Sequence, residues 1–133
     1  MPKPSLLILD FSYTKASGHH HSLNQLISSA AAAKGFTHRV LSSRYIDQNL
    51  VLPGVTPTFR SGVYLPVSTK KELDGKHRKI VWTTLVDLAL SGIQIWGRQA
   101  DIIIHTATAS HLIAVTKFLS AFRFKGRINF FLM

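Results

Sequence analysis

A chain of 133 residues has the length of one domain, and a globule of that size buries roughly 65–70% of the surface its unfolded chain exposes. Its 46% apolar and 17% charged content excludes a disordered chain, and the lack of cysteine excludes disulfides, thiolate metal sites and a cysteine nucleophile. Sixteen Lys and Arg against six Asp and Glu give a net charge of +10, which attracts polyanions: nucleic acid, anionic lipid headgroups or phosphorylated ligands.

Ser5–Asp10 (SLLILD) is an almost unbroken apolar run, the pattern of a strand covered on both faces. Phe11 to His21 reads as a loop containing Gly18. Ser22–Lys34 places Leu23, Leu26, Ile27, Ala30 and Ala31 at helical spacing, with Gly35 as the stop. Thr37–Ser42 predicts the next strand and completes a βαβ unit. Arg44 to Pro66 holds Pro53, Gly54, Pro57, Gly62 and Pro66, which predicts irregular chain with short extended pieces such as Gly62–Leu65. Thr69 and Glu72 have the spacing of a capping box, and Asp74-Gly75 breaks or delays a helix starting there.

The stronger helix spans Lys76 to Trp96, with Ile80, Val81, Leu85, Leu88, Ala89, Ile93 and Trp96 inward and Gly97 as its end. Ala100–His105 predicts a buried strand. Ala109–Arg123 predicts a helix patterned by Leu112, Ile113, Val115, Thr116, Leu119 and Phe122. Arg127–Met133 predicts a last buried parallel strand. The alternation gives the fold class: α/β, a Rossmann-like parallel β-sheet of about four strands flanked by helices on both faces, one domain over 1–133. No apolar run reaches the roughly 20 residues of a membrane helix. The best stretch, Ile80 to Trp96, is interrupted by Thr83, Thr84, Asp87, Ser91 and Gln94. The run Leu6–Leu9 is broken by Asp10 too early for a signal peptide, so the expected location is the cytoplasm, at the inner membrane surface.

Two segments carry candidate chemistry. The first, KASGHHHSLN, follows the first strand and enters a helix N-terminus, where backbone N–H groups and the helix dipole favour an anion. Gly18, His19 and His20 are its candidate ligand-binding residues. It has neither the G-x-G-x-x-G fingerprint nor a Walker loop. Three adjacent histidines diverge around a helix axis and no carboxylate is adjacent in sequence, so the expectation is no metal. The alternative for these histidines is hydrogen bonding to backbone at a helix start.

The second segment is IIIHTATASH. His105 and Thr106 end a strand, and Ser110 and His111 open the next helix, with Thr108 or Ser110 as its N-cap. If the two strands are neighbours, both segments meet at one rim of the sheet. Asp10 is the one carboxylate placed there, either at the site or fixing the loop. Without G-x-S-x-G and with six acidic residues in all, a serine hydrolase has no support. Lys76, Arg78 and Lys79 form a candidate basic patch for an anionic acceptor or membrane surface, or a solvated face.

The segments LLILDFSY, GHHHSLNQLISSAAAAKGFTHRVLS, ADIIIHTATASHLIAVTKFLS and RINFFLM together resemble the N-terminal half-domain of retaining GT-B glycosyltransferases of the family 4-like kind. The resemblance implies two Rossmann-like domains facing across a cleft, with this chain as the acceptor side. Gly18 and His19 would match the loop near the donor diphosphate, and His105 with the 106–111 loop the acceptor side. The chain departs from the family in carrying Ser17-Gly18 where a double glycine is common. The family's C-terminal nucleotide-sugar domain has no counterpart here, so truncation after Met133 and inactivity of the chain alone are expected. The nucleotide-sugar donor would bind only with that domain, the acceptor would be a lipid or a glycan, and no cofactor is implied. The alternative is a non-catalytic basic α/β module that binds nucleic acid or another polyanion. It lacks a zinc-finger, RNP or helix-turn-helix signature.

Overall fold

The structure, a computed structural model, describes residues 5–16, 18–51, 54–60, 70–91, 100–105, 107–123, 126 and 128–131. In chain order these form β1 (Ser5–Leu9), α1 (His19–Ala33), β2 (Thr37–Ser43), a 3-10 turn at Gln48–Leu50, β3 (Val55–Phe59), α2 (Lys70–Leu90), β4 (Asp101–His105), α3 (Ala109–Ala121) and β5 (Ile128–Phe131). The strands make one sheet in the order β3-β2-β1-β4-β5. Every pairing is parallel. This is the order of a doubly wound Rossmann-like domain, whose switch point falls between β1 and β4.

β1 owes its central place to its apolar run. Leu7, Ile8 and Leu9 are fully buried, with Ile8 in register between Val40 and Ile103. Alternation sends Leu7 and Leu9 to one face, where they meet Leu88 of α2 and Val115 and Phe118 of α3. Ile8 points to the other face, with Val40 and Ile27 of α1. Helices therefore cover both faces.

α1 ends in a Schellman motif. Gly35 has φ 79, Phe36 N–H donates to Ala31 C=O at 2.9 Å, and Gly35 N–H donates to Ala32 C=O at 3.1 Å. α3 begins on a capping box. Thr108 accepts from the His111 backbone, and the His111 side chain takes the reciprocal role usually played by Glu or Gln.

The expected parallel α/β sheet is present, with five strands among the described residues, and several expectations for single elements are corrected. The added one, β3, lies inside the stretch expected to be irregular. Pro57 hid it, because a proline removes a ladder donor. Val40 N–H donates to Gly54 C=O, so alternation turns Pro57's missing N–H away from β2 to the open edge. α1 starts at His19 instead of Ser22, so the three histidines form its first turn instead of a loop. Its buried residues are His20, Asn24 and Ala31, whereas Leu26, expected inward, is 69% exposed and Ala30 is exposed.

α2 starts at Lys70 and runs through Asp74-Gly75. The cost of an interior glycine, about 1 kcal/mol, is offset by packing of α2 on α3. Ala89 in α2, expected inward, is exposed, and Ile113, Thr116 and Phe122 of the helical pattern at α3 are exposed as well. The Thr69 cap, Gly62–Leu65, Ile93, Trp96 and the chain's last two residues lie outside the described residues.

Candidate functional site

The end of β1 and the end of β4 are neighbours at the switch point, and the side chains there converge. Asp10, the first residue past β1, has no exposed surface. A buried carboxylate is tolerated only when donors surround it. Four do. His20 Nδ1 lies 2.8 Å from one oxygen, and the Ser12 backbone N–H donates to that oxygen at 3.2 Å. Asn24 Nδ2 donates to the other oxygen at 2.7 Å, and His105 Nε2 stands 3.3 Å from it. His105 Nε2 also lies 2.9 Å from Asn24 Oδ1. The pattern fixes the protons: Nδ1–H of His20 and Nε2–H of His105 donate.

α1 makes this possible by placing His20 and Asn24 four residues apart on the face that meets the sheet. His20 is 9% exposed, and its Nε2 is buried with no hydrogen-bond partner among the described residues. In a neutral ring with Nδ1–H committed to Asp10, that nitrogen would carry the lone pair. Burial pushes the His105 imidazole below its ordinary pKa of 6.5. The Asp10 charge opposes this, and His20 and His19 reinforce it. His105 is therefore a neutral ring. Burial, aided by the Asp10 charge, pushes the Tyr13 hydroxyl above 10.0. That hydroxyl sits 2.7 Å from His21 Nδ1.

The residues singled out in the sequence divide into groups. His20 and His105 join the Asp10 network, with ring centroids 6.1 Å apart. His19, exposed at the start of α1, lies against the His20 ring at 4.2 Å, so it stands at the same end of the sheet as His105. Gly18, at φ 92, is exposed with open space where a Cβ would be, and no side chain caps the helix behind it. The first amides of α1 therefore have no side-chain cap among the described residues.

His111 does not reach the network. It is buried in the capping box and stacks on Phe11 at 4.2 Å. Ser110 is buried and hydrogen-bonded to His77 of α2. Thr106 lies outside the described residues. Arg78 and Lys79 are exposed on α2, and Lys76 is half-buried.

One finding goes beyond the sequence reading: Asn24 links the two segments, and its i,i+4 spacing from His20 was the signal available in the sequence. Asp10, which the sequence places at this rim, supplies the carboxylate to the histidines. The donor atoms of Asp10, His20 and His105 lie within 4.8 Å of one another, a set of residue types able to hold a metal ion. In this structure those atoms are engaged with one another and with Asn24.

Among the described residues, no helix is long and apolar enough to cross a membrane. In comparisons with known proteins no family model matches the chain, and no curated protein and no solved structure matches it.

Proposed function

We propose that this chain is the acceptor-side domain of a glycosyltransferase that moves a sugar from a nucleotide-sugar donor to a lipid or glycan acceptor. The observation that carries the reading is the His20 Nε2, oriented by Asp10 at the switch point of a Rossmann-like sheet and without a hydrogen-bond partner among the described residues. Asp10 fixes the tautomer and would stabilise the imidazolium, so His20 can accept a proton from a hydroxyl. Neutral His105, held by Asn24, adds no competing positive charge. The α1 N-terminus behind Gly18 offers backbone donors to an anionic group of the ligand.

In the resembled family a second domain holds the nucleotide. This reading therefore assigns acceptor binding to the 133 residues, with no sugar transfer by the chain alone. NMR titration with simple glycosides should shift the His20 and His105 imidazole signals, and His20→Gln should abolish the response. Release of nucleotide from a nucleotide sugar by this chain alone would contradict the acceptor-only assignment. Unshifted imidazoles across a broad panel of hydroxyl-bearing acceptors would overturn the site.

A further inference from the structure

The outer surface of the α2–α3 layer is independent of the Asp10 network and has an unusual composition. α2 turns Lys71, Arg78, Lys79, Trp82, Val86 and Leu90 outward along one stripe. Trp82 is 70% exposed and Leu90 is 73% exposed. On α3, Ile113 is 48% exposed, and Lys117 and Arg123 are also exposed. A groove of about 480 Å³ joins the two helices, with Trp82, Val81 and Ile113 in its walls and Arg78 and Lys117 among its lining.

From Gly75 to Ser91 and from Ala109 to Arg123 the sole acidic residue is Asp87. It is buried and bound by Arg60. From Gly75 onward, among the described residues, the face thus offers large apolar side chains and cations with no exposed carboxylate between them. Because α2 and α3 lie on the same side of the sheet, their outer surfaces form one broad side of the molecule.

We propose that this face binds an anionic lipid bilayer, with Trp82, Leu90 and Ile113 entering the interface and Arg78, Lys79 and Lys117 meeting the headgroups. The charge sign selects an anionic partner. Exposed aliphatic side chains select lipid over nucleic acid, because phosphates and stacked bases give Leu90, Val86 and Ile113 nothing to bury against. Lysines interspersed with the apolar residues select lipid over a protein interface, whose core is depleted in lysine. Tryptophan at the boundary of an apolar patch suits the headgroup level.

The test uses the 133-residue chain with vesicles of phosphatidylcholine, alone or with phosphatidylglycerol, in co-sedimentation and fluorescence. Binding to the acidic vesicles should exceed binding to the neutral ones. Brominated acyl chains should quench Trp82 in a Trp96→Phe background. The triple variant Arg78→Gln, Lys79→Gln, Lys117→Gln should weaken binding at least tenfold, since each cation near an anionic surface is worth about fivefold. The pair Trp82→Ser, Leu90→Ser should also weaken it, with circular dichroism unchanged because these side chains are exposed. Equal retention on both vesicle types, no retention on either, or binding insensitive to the serine pair would overturn the proposal. So would salt-sensitive binding of single-stranded RNA by a chain that ignores vesicles.

Discussion

Asp10 is a charge with no access to water, so each donor around it matters more than a surface hydrogen bond would. Asn24 is the most exposed to test because it serves two partners. Asn24→Ala removes one donor from Asp10 and one acceptor from the His105 Nε2–H, and should cost about 2–3 kcal/mol in a denaturant titration. The lowered pKa of His105 gives a signed pH effect. The stability it contributes is complete above pH 6.5, the value of the unfolded ring. Below that, the unfolded chain takes up a proton that the folded one resists, and the contribution is lost as pH falls through the folded value. Thermal unfolding at about pH 7.5 and about pH 5.5 should therefore show a smaller drop for His105→Gln than for the parent chain. Raised Tyr13 acts on the opposite wing, with its contribution intact below 10.0 and lost as pH rises past it. Asp10, His20 and His105 were legible in the sequence as separate points at strand and helix ends. Their convergence was not, because a 3.6-residue pattern read for apolar faces passes over a helix that turns His20 and Asn24 to the sheet.

At the scale of elements, apolar runs gave β1, β2, β4 and the last strand, and Gly35 marked the end of α1 through its Schellman geometry. α2 and β3 were harder to read because long-range contacts define them. Asp87, which breaks the apolar run of α2, is the tie between these two elements. Its carboxylate accepts from the Arg60 backbone N–H and from Arg60 Nε, both at 2.9 Å. Arg44 stands 3.8 Å away. Both arginine side chains are partly exposed, so solvent screens their share. The part-buried backbone contact reaches a carboxylate with no exposed side-chain surface, and Asp87→Ala should cost about 2 kcal/mol, read as a lower urea midpoint. Just before β5, Gly126 sits so close to the residue that precedes β4 that an added Cβ would lie 1.8 Å from the Ala100 carbonyl oxygen. Backbone cannot yield as a side-chain tip would. Gly126→Ala should therefore destabilise by about 2 kcal/mol or more and leave a soluble, less cooperative protein.

For the molecule as a whole, the doubly wound order separates two kinds of surface. The Asp10 network occupies the carboxyl rim at the switch point, while the cationic, apolar side lies over α2 and α3. Their independence is itself testable: the Arg78, Lys79 and Lys117 substitutions should leave the His20 and His105 imidazole signals in place. A sheet with an open edge also carries a hazard, since any chain presenting its own backbone can dock there and build outward. Among the described residues Pro57 occupies the outermost strand with its nitrogen turned to that edge, so an incoming strand would meet a blank rung. Read this way, the residue that concealed β3 from sequence inspection is also its guard against fibril-like growth, and Pro57→Val should shorten the lag before turbidity in concentrated solution.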